Sequence, residues 1–275
     1  MDRRLTPANA NAALDSLRGI VDAPHYTAGE RATVKQGTAD LLRAPGGARD
    51  RQLLWGDAVT VIDRAGGWAF LQAAKDGYCG YLPEDNLAIA PQPATHWVAT
   101  PGTHLYSGPK VQHPEITALP LGARLQVIGC SDDWAETPEG FVPLMHLRAL
   151  GDWFADPATV AQGLLHSPYL WGGNSRAGID CSGLAQIAFH ACGHPLPGDS
   201  DLQAGAGQPV PDGAPLRRND LLFWKGHVAL VLSPDRMIHA TAAAMAVIEE
   251  DIVGAVARIA ASGGGPVTHR RRILA

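Results

Sequence analysis

The 275-residue sequence has few cysteines, no lysine- or arginine-rich face and no apolar run of membrane-spanning length. Its four cysteines form no Cys-x-x-Cys pair, so we expect reduced thiols and no disulfide framework. With a net charge of −5 and no basic face, nucleic acid is not an expected partner, and neither is a membrane. The polar opening segment lacks the apolar stretch of a signal peptide, so a cytoplasmic location is expected.

One cysteine, Cys181, lies in a local context that the other three lack. It follows a glycine-bearing segment, Tyr169-Leu170-Trp171-Gly172-Gly173-Asn174, and stands directly after Asp180, a good N-cap residue. Apolar residues recur at helical spacing behind it, and this stripe ends at Cys192-Gly193. Cys181 is therefore predicted in the first turn of a helix, where backbone N–H groups favour a thiolate and can bind an oxyanion.

These features alone leave a nucleophile and a structural cysteine as alternatives for Cys181. The remaining cysteines have no glycine-rich turn followed by an amphipathic run, and we interpret them as small buried hydrophobic residues: Cys79, Cys130 and Cys192.

A meander of short strands is predicted after this helix. Alternating apolar residues bounded by turn residues place the strands at Leu221–Trp224, Gly226–Leu232 and Arg236–Thr241. If Ser233–Asp235 forms a three-residue hairpin loop, Leu232 lies opposite Arg236.

This register determines where two histidines lie. It places Ala229 opposite His239 and makes His227 a diagonal neighbour of His239 on the same sheet face. A loop one residue shorter or longer would put the histidines on opposite faces. A satisfied structural histidine is the alternative interpretation of each, but two on one face after a capped cysteine favour a catalytic role.

The segment from Tyr169 to Thr241 resembles the NlpC/p60 family of cysteine peptidases, which cut bonds in bacterial cell-wall peptides. The matching pieces occur in the family's order: Tyr169-Leu170-Trp171-Gly172-Gly173, Asp180-Cys181-Ser182-Gly183-Leu184, Asn219-Asp220-Leu221-Leu222-Phe223, His227-Val228-Ala229 and Ile238-His239-Ala240. The resemblance implies an α+β, papain-like catalytic domain, in which the helix bearing the cysteine packs on an antiparallel sheet.

The same resemblance implies a role for each residue of the site. Cys181 would be the nucleophile and His227 its base. His239 would orient the imidazole, and Tyr169 would stabilise the oxyanion together with backbone N–H groups at the helix start. No metal or other cofactor is implied.

An internal repeat precedes the catalytic domain. Both copies contain short alternating strands with Gly and Asp turns, a Trp, and a closing Gly-aromatic-(Leu/Val)-Pro. The repeat resembles bacterial SH3-like domains and predicts two small β-barrels. The expected division is a helix and lead-in at 1–31, barrels at 32–90 and 95–150, and the catalytic domain at 151–275.

Sequence signals also predict the elements around the barrels. Thr6-Pro7 is a suitable N-cap and N1 pair for a helix over Ala8–Leu17, and a second helix is expected at Asp152–Leu165. Pro91-Gln92-Pro93 is the expected link between barrels, and Tyr81 is assigned to the core of the first barrel.

Two barrels followed by this catalytic domain resemble a narrower group, the γ-D-glutamyl-L-diamino-acid peptidases of murein peptide recycling. Members of that group release L-Ala-γ-D-Glu from peptides with a free amino terminus, cutting before Lys or diaminopimelate. In that group the first barrel closes one end of the cleft. The resemblance therefore implies, as partner, a murein-derived peptide with a free N-terminal L-Ala.

A free ammonium group calls for a carboxylate in a closed pocket. By the resemblance Asp199 would pair with this ammonium, while Ser182 and Ser200 would receive the α-carboxylate of D-Glu. Many relatives carry Arg immediately before this Asp, whereas Gly198 stands here, which puts the carboxylate contact in doubt.

The predicted substrate-binding set also has members outside this loop. Tyr78 and Asp50 of the first barrel are expected to face the substrate amine. For Tyr78 the alternative is a barrel-surface aromatic, and for Asp50 an ordinary solvated turn residue. Asp180 and Trp171 complete the set.

Other functions remain open from the sequence. A wall endopeptidase or amidase would use the barrels to bind intact peptidoglycan, and a catalytically silent binding or adaptor protein would only keep the fold. A zinc site built from Cys181, His227 and His239 is chemically conceivable, but the helix-start cysteine already has an explanation.

Overall fold

The computed structural model describes residues 1–89 and 92–274, and the chain divides into two compact units, Met1–Asp152 and Trp153–Ala275. This division lies two residues from the predicted domain start at residue 151. Ala90, the last residue of the predicted first barrel, and Pro91 of the predicted link lie outside the described residues. Within the described ranges, no helix has the length and apolar character needed to cross a membrane.

The segment before the first barrel is extended, so the predicted helix over Ala8–Leu17 is wrong. Its elements are strand β1 (Ala12–Leu14), a 3₁₀ turn (Asp15–Leu17) and strand β2 (His25–Thr27), with β1 and β2 paired in parallel. The side-chain oxygen of Asn9 accepts hydrogen bonds from the backbone N–H groups of Asn11 and Ala12, each at 2.9 Å. Such local side-chain capping competes with a helix for the same backbone groups.

The first barrel is a seven-stranded antiparallel sheet wrapped around one apolar core. Its strands are β3 (Glu30–Val34), β4 (Thr38–Leu42), β5 (Arg49–Leu54), β6 (Ala58–Ala65), β7 (Trp68–Ala73), β8 (Cys79–Pro83) and β9 (Leu87–Ile89). They are ordered β5-β4-β8-β7-β6-β3-β9. Leu82 points into this core, and its neighbour Tyr81 therefore points away from it. Tyr81 packs instead on Phe70, with ring centroids 5.0 Å apart, which corrects its assignment to the core.

The second barrel has eight strands in two sheets that share one apolar core. The strands are β10 (His96–Val98), β11 (Gly102–Tyr106), β12 (Glu115–Pro120), β13 (Arg124–Leu125), β14 (Gly129–Ser131), β15 (Trp134–Thr137), β16 (Gly140–Pro143) and β17 (Leu147–Ala149). The sheet orders are β12-β11-β16-β15-β14 and β13-β10-β17. Val98, Leu105 and Val142, all fully buried, belong to the shared core.

The internal repeat read from the sequence is visible as matching strand pairs. Trp68 lies opposite Pro83 in the first barrel, and Trp134 lies opposite Pro143 in the second. In both barrels the proline is followed by a 3₁₀ turn, at Glu84–Asn86 and Leu144–His146. The Gly-aromatic-(Leu/Val)-Pro pattern therefore marks the same hairpin strand in both copies.

Trp55 and Gly56 join the two barrels. The Trp55 side chain packs against the core of the second barrel, and its carbonyl oxygen accepts a hydrogen bond from the backbone N–H of Arg124 at 2.9 Å. Gly56 has a φ of +75°, and a Cβ at this position would lie 2.1 Å from the carbonyl oxygen of Arg124. The close approach of the two backbones therefore requires glycine.

Over its described residues, the second unit contains four helices and a six-stranded antiparallel sheet. Its elements are α1 (Pro157–Gln162), β18 (Asn174–Ser175), β19 (Gly178–Ile179), α2 (Cys181–His190), α3 (Ser200–Gln203), β20 (Gln208–Pro209), β21 (Asp220–Trp224), β22 (His227–Ser233), β23 (Arg236–Thr241), β24 (Ala246–Asp251), α4 (Ile252–Ala261) and β25 (His269–Arg272). The sheet order is β20-β25-β21-β22-β23-β24, and α2 packs against β22 and β23. This is the α+β arrangement expected from the sequence.

The first helix of this unit is shorter than the predicted Asp152–Leu165. It begins at Pro157 because Asp156 is its N-cap, with a side-chain oxygen accepting from the backbone N–H of Thr159 at 3.2 Å. Gly163 is its C-cap residue.

The β22–β23 hairpin reaches the predicted histidine register by a different turn. Ser233, not Leu232, lies opposite Arg236, so the loop is one residue shorter than predicted. A bulge between Val231 and Ser233 absorbs the difference, and beyond it Leu230 pairs with Ile238. Both histidines therefore stay on one sheet face, although the loop prediction was wrong.

We predict that Gly56→Ala destabilises the paired barrels more than Gly66→Ala does. Gly66 also has a positive φ, +60°, but a Cβ there meets nothing within 4 Å, so its variant reports backbone strain alone, about 1–2 kcal/mol. Gly56→Ala adds the clash with Arg124, and we expect at least about 1 kcal/mol more loss in the free energy of unfolding. Urea unfolding followed by tryptophan fluorescence measures both, and equal losses would contradict the proposed close contact.

Candidate active site

Cys181 is the first residue of α2, as the sequence predicted. Asp180 is the N-cap, and its Oδ1 accepts a hydrogen bond from the backbone N–H of Gly183 at 2.6 Å. The cysteine side chain is buried, with 8% of its surface exposed. Backbone N–H groups of the first helical turn, among them that of Ser182, lie at this position and hydrogen-bond to the thiol.

The Asp180 carboxylate is fully engaged within the protein. Besides Gly183, its Oδ1 accepts from the Ser182 hydroxyl at 3.0 Å, and its Oδ2 accepts from the backbone N–H of Gly172 at 2.9 Å. These bonds tie the start of α2 to the preceding glycine turn. These contacts give Asp180 a structural role, and its predicted role in substrate binding stays a prediction. The Ser182 hydroxyl donates to Asp180 in the substrate-free protein, and its predicted contact with the D-Glu carboxylate stays a prediction.

The sulfur of Cys181 lies in a dry and partly anionic environment. Burial raises the pKa of the Cys181 thiol to about 12, and the charge of Asp180 adds to the rise. Hydrogen bonds from backbone groups of Val228 and Ser182 oppose this effect without cancelling it. Desolvation therefore acts against the helix start, which the sequence analysis expected to favour a thiolate. The contact with Val228 places the sulfur beside the start of β22, next to His227.

Tyr169 lies close enough to Cys181 for their charges to interact. Burial raises the pKa of Tyr169 to about 12, and the charges of Cys181 and Asp180 contribute. The phenol therefore keeps its proton and can donate a hydrogen bond. Its backbone is held by a hydrogen bond to the carbonyl oxygen of Met245 at 2.9 Å and by a bridge to Ile179. This position suits the predicted role at the oxyanion.

His227 and His239 are in direct contact, as their shared sheet face requires. The Nε2 atom of His227 lies 2.8 Å from the Nδ1 atom of His239. Burial lowers the pKa of His227 to about 3, and the charges of His239 and Arg258 act in the same direction. Burial also lowers the pKa of His239, against the opposing influence of Glu250. The lowered pKa values favour the neutral form of both imidazoles, and His239 is only 1% exposed.

Glu250 and Arg258 extend this chain, and sequence reasoning missed both. The Nε2 atom of His239 lies 2.7 Å from Oε1 of Glu250, and the same oxygen accepts from the Arg258 guanidinium. Neither residue belongs to the motifs that carried the family resemblance, and no element was predicted after Thr241. Strand alternation could have indicated Glu250 only if the pairing of β24 with β23 had been known, since Glu250 lies opposite Met237.

The loop that carries Asp199 and Ser200 is held against the start of α2. Gln203, fully buried in α3, donates through Nε2 to the carbonyl oxygens of Ser182 and Pro197, both at 2.9 Å. Asp199 has a φ of +31°, a conformation that residues with a side chain rarely adopt. Gln203, which sequence reasoning missed, therefore ties the segment that contains Asp199 and Ser200 to the first turn of α2, and their substrate-binding roles stay predictions.

The other predicted binding residues have mixed outcomes. Trp171 is 68% exposed on the glycine turn, which suits a binding role that stays a prediction. Tyr78 is 2% exposed in the core of the first barrel, so the surface-aromatic alternative is wrong, while its predicted role towards the amine stays untested.

Asp50 lies in a strand, not a turn, and its carboxylate accepts from Arg3 at 2.6 Å and Arg43 at 3.2 Å. Two guanidinium groups contact this carboxylate, and its predicted contact with a substrate amine stays a prediction.

The remaining cysteines and histidines do not form a metal site. Cys79 and Cys192 are buried, and burial raises their thiol pKa values to about 12 and about 11. Cys130 is exposed, so its interpretation as a buried residue is wrong. Among the described residues, no three His, Cys, Asp or Glu side chains are grouped as metal ligands. The imidazoles of His227 and His239 bond to each other instead of converging on a shared point.

Sequence profiles of two families match this chain. The profile described as the NlpC/P60 family matches residues 166–257, and the profile of the bacterial dipeptidyl-peptidase Sh3 domain matches residues 41–87. The first range contains Tyr169, Cys181 and both contacting histidines. The second lies within the first barrel.

Curated relatives resemble most of the chain. A γ-D-glutamyl-L-lysine dipeptidyl-peptidase of Bacillus subtilis is 30% identical over 213 residues, which are 68% of this chain and 71% of that protein. A protein of the same name from Bacillus cereus is 28% identical over 229 residues, 69% of this chain and 66% of that protein. The crystal structure of an NlpC/P60 family protein from Bacillus cereus superposes with a TM-score of 0.76 at 22% identity, covering 89% of this chain and all of that one. This likeness shows that the fold is shared.

We predict that Cys181 of the substrate-free protein reacts with iodoacetamide at a rate that rises steadily from pH 6 to pH 9. Well below a pKa of about 12, the thiolate fraction grows roughly tenfold per pH unit. Peptide mass spectrometry measures the rate, with exposed Cys130 as the fast-labelling reference and buried Cys192 as the slow one. A rate that levels off below pH 8 would reveal a preformed thiolate and contradict the prediction.

Proposed function

This chain belongs to the NlpC/P60 family of cysteine peptidases, and from that premise we propose that it cuts the γ-D-glutamyl–L-diamino-acid bond of murein-derived peptides. The substrate would carry a free N-terminal L-Ala, and the product would be L-Ala-γ-D-Glu. The observation that carries the proposal is the Cys181–His227–His239 arrangement, combined with the dipeptidyl-peptidase Sh3 match in the first barrel. The diamino acid is Lys or diaminopimelate.

The reaction starts from a neutral thiol and a neutral imidazole. As Sγ of Cys181 bonds to the γ-glutamyl carbonyl carbon, the thiol proton moves to His227 and the carbonyl electron pair moves onto oxygen. The C–N bond then breaks, and the proton on His227 passes to the leaving amine, which leaves a thioester. Water attacks this thioester, gives one proton to His227, and releases L-Ala-γ-D-Glu as the proton returns to sulfur.

The oxyanion forms where hydrogen-bond donors already converge. The phenol of Tyr169 keeps its proton because its pKa is raised to about 12, so it donates to the developing charge. Backbone N–H groups at the start of α2 act beside it. Asp180 holds the helix start and the glycine turn together in the substrate-free protein.

Recognition of the free amine is assigned to the loop ahead of α3. Asp199 supplies a carboxylate close to the cysteine helix, and Ser200 supplies a hydroxyl for the D-Glu carboxylate. Gln203 keeps both in place through its bonds to Ser182 and Pro197. A carboxylate–ammonium contact of this kind distinguishes free from blocked peptides, because a blocked amine carries no charge.

We propose that the protein acts on small peptides in the cytoplasm, as part of murein peptide recycling. Four free cysteines, three of them buried, suit a reducing compartment. Cell fractionation with detection of the native protein tests this location, and recovery from the wall fraction would favour an endopeptidase that acts on intact peptidoglycan.

Cys181→Ala should abolish cleavage of L-Ala-γ-D-Glu-L-Lys, with a fall in kcat of about 10³-fold or more. Cys192→Ala is the matched control, because this thiol lies just beyond the other end of α2 and is 7% exposed, against 8% for Cys181. Product analysis by mass spectrometry measures turnover, and circular dichroism checks folding. Turnover retained in Cys181→Ala would refute the nucleophile assignment.

Asp199→Asn should raise KM for the free tripeptide by about tenfold or more, since it removes one charged hydrogen-bond partner of the ammonium. Asp201→Asn, on the same short helix, is the matched control and should leave KM unchanged. With the N-acetylated tripeptide, wild type and Asp199→Asn should be equally slow. Equal wild-type rates on free and acetylated peptide would identify an ordinary endopeptidase and overturn the dipeptidyl-peptidase proposal.

A further inference from the structure

The hydrogen bonds that join His227, His239 and Glu250 can be donated in only one direction. An ionised carboxylate has no proton to donate, so the bond between His239 and Glu250 requires a proton on Nε2 of His239. A neutral imidazole with its proton on Nε2 has a bare Nδ1, and this atom accepts a hydrogen bond from Nε2 of His227. His227 then carries its proton on Nε2, and its Nδ1 has none.

We propose that Glu250, held in place by Arg258, is a positioning residue that sets the tautomers of both histidines. It leaves Nδ1 of His227 as the unprotonated nitrogen that receives the thiol proton of Cys181. Without the carboxylate, either tautomer of His239 becomes possible. The tautomer with its proton on Nδ1 would donate to Nε2 of His227 and force the His227 proton onto Nδ1, where it blocks proton transfer from sulfur.

The fold brings this chain together from several elements on one face of the sheet. His227 is on β22, His239 on β23 and Glu250 on β24, while Arg258 comes from α4. Ala229 on β22 and Met237 on β23, two positions from the histidines and on the same sheet face, pack against α4. The hydrogen bonds among the four side chains therefore lie on the α4 face. These four are the charged and titratable groups that act on one another there.

Arg258 keeps the carboxylate ionised and oriented. Partial burial opposes ionisation of Glu250, but the hydrogen bonds from Arg258 and His239 outweigh burial and lower its pKa. The Arg258 guanidinium contacts both oxygens of Glu250, with Nε 3.3 Å from Oε2. A carboxylate held from both sides cannot rotate away from His239, so the direction of donation is maintained.

A direct test is nitrogen NMR of the substrate-free protein with labelled histidine, assigned with His227→Gln and His239→Gln variants. At pH 7 we expect both imidazoles to carry the proton on Nε2, with Nδ1 of His227 unprotonated. In Glu250→Gln, whose amide offers either a donor or an acceptor, this Nδ1 signal should move towards the protonated position. A wild-type His227 that carries its proton on Nδ1 would overturn the proposal.

Kinetics with L-Ala-γ-D-Glu-L-Lys provide the second test. Glu250→Gln should lower kcat by about 10- to 100-fold with KM within about twofold of wild type, because the substrate-binding loop is untouched. Arg258→Gln should lower kcat less, and Arg258→Lys should recover most of the loss because it restores the cation. This rescue would not be expected if Arg258 served only to pack α4.

Matched controls are available on the same strand. Glu249, next to Glu250, has a side chain that is 25% exposed against 20%, and it pairs with Arg236 at 3.3 Å. Glu249→Gln and Arg236→Gln should leave kcat and the histidine tautomers unchanged. Equal losses of kcat in Glu249→Gln and Glu250→Gln would contradict a specific role for Glu250.

These experiments distinguish a failure of the Glu250 proposal from a failure of the substrate proposal. It rests on the cysteine peptidase reaction and not on the peptide chosen. If wild type fails to cut the tripeptide but shows the expected tautomers, the substrate proposal fails and the role of Glu250 stands. If wild type cuts the tripeptide and a folded Glu250→Gln keeps full kcat, the role of Glu250 is refuted. Should Glu250→Gln unfold, the Arg258→Lys and Arg258→Gln pair and the wild-type tautomers decide the question.

Discussion

Hydrogen bonds to the Asp180 carboxylate hold together the parts on which the chemistry depends. They join the first turn of α2 to the glycine turn that follows Tyr169, so the sulfur of Cys181, the phenol and the backbone N–H donors share one small volume. The same carboxylate disfavours a thiolate beside it. Burial contributes most to the raised pKa of the Cys181 thiol, and the carboxylate that holds the site together adds to the rise.

The hydrogen-bond chain behind His227 is important because the proposed reaction starts from a neutral Cys181 thiol and a neutral His227 imidazole. An enzyme with a preformed thiolate needs its imidazole mainly as an acid, whereas a neutral thiol needs a nitrogen ready to accept a proton. In the chain of His239, Glu250 and Arg258, the guanidinium is always charged, and the ionised carboxylate can only accept a hydrogen bond. In such a chain the ionisation of Glu250 decides which nitrogen of His227 carries the proton.

Local sequence signals and long-range pairing contributed differently to each prediction. The helix start at Cys181 was predicted correctly because an N-cap and helical spacing act within a few residues. The helix before β3 was predicted wrongly because the side chain of Asn9 captures the backbone N–H groups that a helix would have used. In the β22–β23 hairpin the loop was misjudged, yet the histidines kept their register because a bulge compensated for the missing loop residue. Tyr81 and Cys130 were misplaced because local patterns do not show which face of a strand is covered.

By itself the sequence determined the catalytic motifs, the two-barrel repeat and the identity of the three residues expected at the reaction centre. These depend on short-range spacing, which a linear reading preserves. Only the tertiary structure decided that Glu250 and Arg258 stand behind His239, that Gln203 holds the Asp199 loop, and that Asp50 is bound by two arginines. These contacts join residues that are distant in the chain or on different elements, and burial among them sets the pKa values. Local sequence spacing does not predict the partner of a side chain or its desolvation, because both arise when strands and helices pack.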